Sequence, residues 1–295
     1  MTMNLNSVAL HRSKLPNVPK VAQIVIAGLA SGEATLGQIA QWVHADPVLC
    51  MRLLRLANSA YFQVSRTIES VDDALQLIGL STVRHLALGS GLLVTFQDVP
   101  GVDLPQFWRH SLYTASVASW LAERCGEQGD LAFTLGLIHG VGQLQLHVAA
   151  AQAMPALDAE CSIFDRARPA AERRVLGFDF GQVSGALARH WHFPPAMAQT
   201  LESVPDPGAA SPFQPLAALV HLGAWRASEE MLAATPREAT YPHDVASALQ
   251  LAPGWALTDC SPPPPPLESG APTARQLPAL PEWSKLTRGL EVLLT

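Results

Sequence analysis

Apolar residues recur at helical spacing in one block after another, and residues that start or stop helices bracket the blocks. DPVLCMRLLRLAN at 46–58 shows the pattern plainly: Asp46 offers a capping oxygen, Pro47 suits the first helical position, and Asn58 suits the end. The same spacing predicts a helix over 19–30, where Val21, Ile24, Val25 and Leu29 share a face. A further helix is predicted over about 35–45, where Thr35 caps a stripe of Leu36, Ile39, Ala40 and Val43. In IESVDDALQLIGL, Ser70 and Asp73 stand in capping-box positions, Asp72 and Asp73 suit a helix N-terminus, and Gly79 suits a left-handed stop. Ser81 opens the next helix. Helical blocks follow at 106–125, 130–149, 180–191 and 213–234, with Pro194 and Pro195 ending the third. The chain reads as all-α.

Composition narrows the function classes. With 48% hydrophobic and 15% charged residues, the 295-residue chain can bury a large core. Its net charge of −6 gives no long-range attraction to phosphate backbones or anionic lipid. The helix, glycine, helix arrangement at 71–95 resembles a DNA-binding helix-turn-helix. Its second helix offers only Arg84 and His85 as long polar side chains over 82–94, too few to read a groove, so two core helices and no nucleic-acid partner are expected. Cys50, Cys125, Cys161 and Cys260 form no CxxC pair, which fits reduced thiols better than a zinc ribbon or a disulfide framework. The first twenty residues lack a signal-peptide core, and no run reaches the roughly 18 apolar residues that span a bilayer, so a soluble cytoplasmic protein with no membrane partner is expected. Proline then dominates: PPPPP at 262–266 marks 258–282 as an extended linker, and WSKLTRGLEVLL at 283–294 as a short amphipathic helix able to dock on the body or a partner.

Histidines carry what chemistry the sequence offers. His110 stands in FWRHS and His139 in LIHGVGQLQLH, each within an apolar helical block. His190 and His192 lie about 200° apart on a helix and cannot chelate from one face; His147 follows His139 by about two turns, and His221 is placed to approach the bundle interior. Ser111 points about 100° away from His110, so the pair is no nucleophile and base. No HExxH, GxSxG, Walker or dinucleotide fingerprint occurs.

LPNVPKVAQIVIAGL, DPVLCMRLLRLANSAYF, IESVDDALQLIGLSTVRHLAL, FWRHS, LIHGVGQLQL and LGFDFGQVSGALARHWHFP together resemble the HDOD family, HD-related output domains of bacterial signalling proteins. The resemblance spans residues 15–230. It implies an N-terminal helical bundle over 15–104 joined to a degenerate HD-like bundle over 105–235, flanked by a segment at 1–14 and a Pro-rich tail at 236–295. HD phosphohydrolases hold a divalent metal with a histidine on one helix, a His-Asp pair on a second and an Asp on a later one. Here His110 and His139 remain, but Gly140 follows His139, Gln143 stands where a Lys is common, Phe180 follows Asp179, and Ala224 takes the place of the last Asp. The resemblance therefore implies relic positions at His110, His139, Gly140 and Ala224, with no catalysis, no metal and no cofactor.

A regulatory module acting through a protein partner is the leading expectation. Two alternatives stay open: nucleotide second-messenger binding in the cleft by Arg109, His110, His139 and Gln143, or residual metal-dependent phosphohydrolase activity. For partner contact the sequence offers the PPPPP run and the aromatic connection NSAYFQVSRTI at 58–68.

Overall fold

The computed structural model describes residues 4–10, 43, 46–64, 67–232, 238–257 and 274–291, and among them the architecture is all-α. The helices predicted over 19–30 and about 35–45, and the run PPPPP, lie outside the described residues, apart from Val43. After a short helix α1 (Leu5–Ala9), capped by Asn4, the chain forms α2 (Pro47–Ala57), α3 (Val71–Ile78) and α4 (Leu80–Thr95). Asp46 caps α2 by accepting from the Val48 and Leu49 amides, while Leu49, Leu53, Leu56 and Ala57 turn inward. Asn58 ends that helix and pins the following loop: its amide group exchanges two 2.8 Å hydrogen bonds with the backbone of Ile68, as a neighbouring strand would. The aromatics of this connection divide, Phe62 packing against the core and Tyr61 remaining exposed.

Ser70 caps α3 as its position predicts. Gly79 ends α3 at φ +80° and ψ 155°, outside the left-handed helical well, because α4 starts at the very next residue and the chain must extend at one position. Along α4, Thr82, Val83, His85, Leu86, Ala87 and Leu88 are all buried. A helix buried in this way has no face free for a DNA groove.

The second bundle is built around α5 (Leu104–Cys125), capped by Asp103 and closed by Gly126 in the left-handed conformation. Against it pack α6 (Gly129–Ile138) and α12 (Pro215–Met231), and both approach at glycines. A Cβ on Gly136 would stand 2.6 Å from the Ala115 Cα, and one on Gly223 would stand 2.7 Å from the Thr114 carbonyl oxygen. Neither distance admits a side chain, so two glycines set how closely three helices meet. The block at 130–149, expected to be one helix, divides into α6 and α7 (Val141–Ala149) at His139-Gly140. Gly140 sits at φ −89° and ψ 0°, and glycine's weak helical preference makes that break inexpensive.

The bundle is completed by α8 (Met154–Glu160), α9 (Arg168–Leu176), α10 (Phe180–His190), α11 (Pro195–Ser203) and α13 (His243–Ala248). The segment from 274 on runs extended along the body: Ala252 N donates to the Arg275 carbonyl and Leu280 N to the Trp255 carbonyl. It ends in α14 (Trp283–Leu286), whose Trp283 stacks on Tyr113 of α5 with ring centroids 4.2 Å apart.

An ion cluster ties α7, α8, α9 and α10 together. Arg168 is fully buried; its Nε donates to Glu172 at 2.8 Å, and one Nη donates to Asp158 at 2.8 Å and to the Cys161 carbonyl at 3.0 Å. Glu172 also accepts from Gln143 Nε2 at 2.6 Å and from the Phe180 amide at 2.8 Å. Removing the guanidinium would leave a buried carboxylate uncompensated, so Arg168→Ala is expected to lower unfolding stability by about 3–5 kcal/mol, whereas Arg173→Ala on the partly exposed face of α9 is expected to change it by about 1 kcal/mol or less. Urea titration of the two variants checks the contrast.

Candidate functional site

His110 and His139 meet. His110 projects from α5, His139 stands at the break between α6 and α7, and their ring centroids are 5.8 Å apart. Both rings are buried. With Phe164, Phe180, His221 and Ala224 they line a cavity of about 60 Å³, room for a couple of water molecules.

Each ring is held by the backbone or by one hydroxyl. His139 Nδ1–H donates to the Gly136 carbonyl at 2.6 Å, and His221 Nδ1–H donates to the Val204 carbonyl at 2.9 Å. His110 Nε2 lies 3.0 Å from Ser228 Oγ. That hydroxyl has carbonyl acceptors at Ala224 (3.0 Å) and Phe164 (3.1 Å), which take its single proton, so the imidazole is the donor toward the oxygen. Burial pushes the pKa of His110 down to about 3, helped by neighbouring His139 and opposed by the Ala224 carbonyl. Burial likewise pushes His139 down to about 4, against the pull of the Gly136 carbonyl and with a smaller push from His221. His221 is lowered for the same first reason. The cavity is therefore lined by three neutral imidazoles.

The turn that carries His139 is clamped from α10. Ser184 Oγ donates to the His139 carbonyl at 2.7 Å and accepts from the Gly142 amide at 2.9 Å. A Cβ on Gly142 would lie 2.0 Å from the Phe180 carbonyl oxygen, so only glycine lets α7 and α10 close to this distance.

The two positions that the resemblance sets against the carboxylates of an HD enzyme, Gly140 and Ala224, hold none here. Gly140 has no side chain, and a Cβ there would stand 3.2 Å from the Phe107 ring, which occupies the space beside it. Ala224 lines the cavity with a methyl group. Asp165 also lines it, but its Oδ1 accepts from the Ala167 amide at 2.8 Å in the turn before α9. Among the described residues no group of three or more His, Cys, Asp or Glu is arranged to hold a metal ion. A divalent cation would meet imidazoles and, of carboxylates, only Asp165, whose Oδ1 is already held by the Ala167 amide, a poor fit to the group's charge.

Other residues named from the sequence are not brought to this cavity. Arg109 is exposed on the outer face of α5, and Gln143 faces away and bonds Glu172. His190 and His192 are exposed. His147 is buried against Asp158, 3.1 Å from Nε2 to the nearer carboxylate oxygen. Asp179 does not reach the cavity either: it caps α10 in a capping box with Gln182. Sequence reasoning missed Ser228 and Phe107. Ser228 was legible only as the residue one turn beyond Ala224, and Phe107 as the apolar neighbour one turn before His110.

The HDOD domain family matches residues 15–207. The chain belongs to the HDOD family. In structure it is similar to a "putative phosphohydrolase" from Shewanella amazonensis SB2B, with a TM-score of 0.65 and 26% identity over 83% of this chain and 87% of the other. It is also similar to a "putative signal transduction protein" from Marinobacter aquaeolei VT8, with a TM-score of 0.69 and 21% identity over 99% of this chain and 66% of the other, a likeness of fold. A curated relative, an uncharacterized protein of Treponema pallidum (strain Nichols), is 24% identical over 224 residues; the match covers 72% of this chain and 42% of the relative's length. No helix among the described residues is long and apolar enough to cross a membrane.

The buried imidazoles make stability depend on pH. Their folded pKa values lie below the unfolded value of about 6.5, so the unfolded state binds more protons between roughly pH 4 and 6.5, and stability falls as pH falls. At pH 5, His110 and His139 are each expected to lower stability by about 2 kcal/mol relative to pH 8. Urea unfolding at both pH values checks this; His85 and His221, also lowered by burial, add to the fall, so in His110→Phe, if that variant keeps its fold at pH 8, the fall should shrink by about 2 kcal/mol and the larger part should remain.

Proposed function

We propose that this HDOD protein is a non-catalytic regulatory module of bacterial signal transduction that acts in the cytoplasm by binding another protein. One observation carries the reading: the place beside His139 where an HD enzyme needs its central carboxylate belongs to Gly140, with the Phe107 ring against it. A side chain at 140 would need the Phe107 ring to give way by a few tenths of an ångström, which supports loss of that ligand, and the methyl group of Ala224 supports loss of a second. Neutral imidazoles fixed by carbonyls and one hydroxyl act as core polar groups with satisfied donors, a structural use of residues that chemistry no longer needs. The name borne by the Marinobacter neighbour supports a signalling role, and the net charge of −6 supports a protein partner over nucleic acid.

The alternatives fit less well. A cavity of about 60 Å³ is well below the roughly 300–1,000 Å³ of ordinary ligand sites, too small for a nucleotide, and exposed Arg109 brings no charge into it. Residual phosphohydrolase activity is the function in the Shewanella neighbour's name, and it needs a metal that this donor set does not fit.

Turnover of bis-p-nitrophenyl phosphate with manganese, iron or zinc tests the reading directly. No metal-dependent hydrolysis is expected. Gly140→Asp is expected to stay inactive and to lose about 1–3 kcal/mol of stability, because the new carboxylate must displace Phe107. Metal-dependent turnover that disappears in His139→Ala would overturn the proposal.

A further inference from the structure

We propose that a second cavity, between α4, α5, α6 and residues 281–290, binds a small carboxylate with an apolar body. The cavity measures about 220 Å³, against about 60 Å³ at the histidines. It shares no lining residue with the histidine cavity. Its inner wall is apolar and aromatic, built from Trp120, Phe133, Leu286 and Leu290, with His85 stacked on Phe133 at a centroid distance of 3.6 Å.

Two of the residues that line this cavity have unpartnered ring nitrogens. His85 Nε2 and Trp120 Nε1 are buried without a hydrogen-bond partner, and the nearest carboxylate oxygen to His85 Nε2, on Asp130, is 3.6 Å away. Buried polar atoms of this kind are nearly always satisfied, and here two belong to residues that line one cavity. The indole N–H can only donate, so its missing partner is an acceptor.

Charge at the mouth says what kind of acceptor. Lys285, Arg288 and Glu123 stand there. Glu123 faces Arg288 at 3.7 Å and Arg124 at 4.0 Å, while Lys285 has no acidic partner among the described residues. The balance favours an anion of single charge held by Lys285, its body against the aromatic wall. Size restricts it further. A cavity of about 150 Å³ can hold benzene, and drug-sized ligands take upward of about 300 Å³, so the occupant is one ring or a branched aliphatic group with a short acid, and not a nucleotide.

The wall over this cavity is the carboxy-terminal segment itself. Trp283 stacks on Tyr113, and Leu286 and Leu290 are buried beneath it. Gly289 passes so close to Leu56 and Tyr61 that a Cβ there would lie 3.1 to 3.3 Å from them. A bound acid would thus touch α5 and a segment that also rests on the N-terminal helices.

The test is a ¹⁵N-resolved titration of the full chain with phenylacetate and with phenylacetamide, its uncharged counterpart. The reporter is the Trp120 indole N–H, one of seven tryptophans, assigned by triple-resonance connectivity and checked in Trp120→Phe. A saturable shift of that resonance with phenylacetate is expected, with the amide binding at least about tenfold more weakly. Lys285→Gln, an exposed substitution, is expected to bring the acid down to the amide's affinity and leave the amide unchanged. Equal binding of acid and amide, a shift confined to other indoles, or no saturable shift overturns the proposal. Because the two cavities are separate, none of these results bears on the phosphohydrolase assay.

Discussion

A single buried guanidinium holds the second bundle in register. Arg168 has no exposed surface, and an unpaired cation there would be among the most unfavourable groups in the molecule. It is tolerable because Glu172, one turn along α9, meets Nε, while Asp158 and the Cys161 carbonyl meet Nη1. Glu172 in turn receives the Gln143 amide and the first backbone N–H of α10. Four helices are thereby connected through three charges, those of Arg168, Glu172 and Asp158. Replacing such a pair with apolar residues can leave a fold just as stable; what the pair supplies here is a fixed alignment of α7, α9 and α10 around the turn that carries His139.

That alignment meets a second constraint, the close approach of backbones to α5. Gly136 and Gly223 lie against adjacent residues, Ala115 and Thr114, so α6 and α12 are set at defined depths on either side of one helix. His110 stands one turn before Thr114, and His139 three residues after Gly136. The meeting of the two imidazoles therefore follows from the packing of small residues a turn away, with no need for any attraction between the rings themselves, which as neutral bases have none of consequence.

Much of this was legible in the sequence. Capping residues did the work: Asp46 with Pro47 and Ser70 mark helix starts through short-range hydrogen bonds that depend on few distant partners. At His139-Gly140 the sequence showed glycine where the HD pattern has aspartate, yet the backbone consequence, the break between α6 and α7, was hidden because apolar periodicity continues through both halves. Asp179 shows the reverse case. Its aspartate and Gln182 three residues on are a capping-box signature, which comparison with a family motif drew attention away from. Arg168 and Glu172 look from sequence like an ordinary exposed pair at i, i+4; only the positions of Asp158 and Gln143 reveal that the pair is buried, and those are set by tertiary packing. The cavity beside His85 was illegible for the same reason, since its walls come from four separated segments.

The histidine cavity shows how a fold can hold buried imidazoles without charging them. An imidazole buried in a core must find hydrogen-bond partners, because each unpaired donor is costly. His139 answers with the Gly136 carbonyl three residues earlier, a partner its own helix supplies, and His221 with the Val204 carbonyl across a loop. His110 uses Ser228, whose hydroxyl passes the proton deficit on to carbonyls at Ala224 and Phe164. A carboxylate has no such route. A buried aspartate beside His139, with no cation to balance it, would carry an unfavourable charge that the backbone carbonyls around it cannot neutralise, whereas glycine lets Phe107 close the gap. Histidines can therefore stand here as neutral core residues where a buried aspartate could not, which agrees with the non-catalytic reading proposed above.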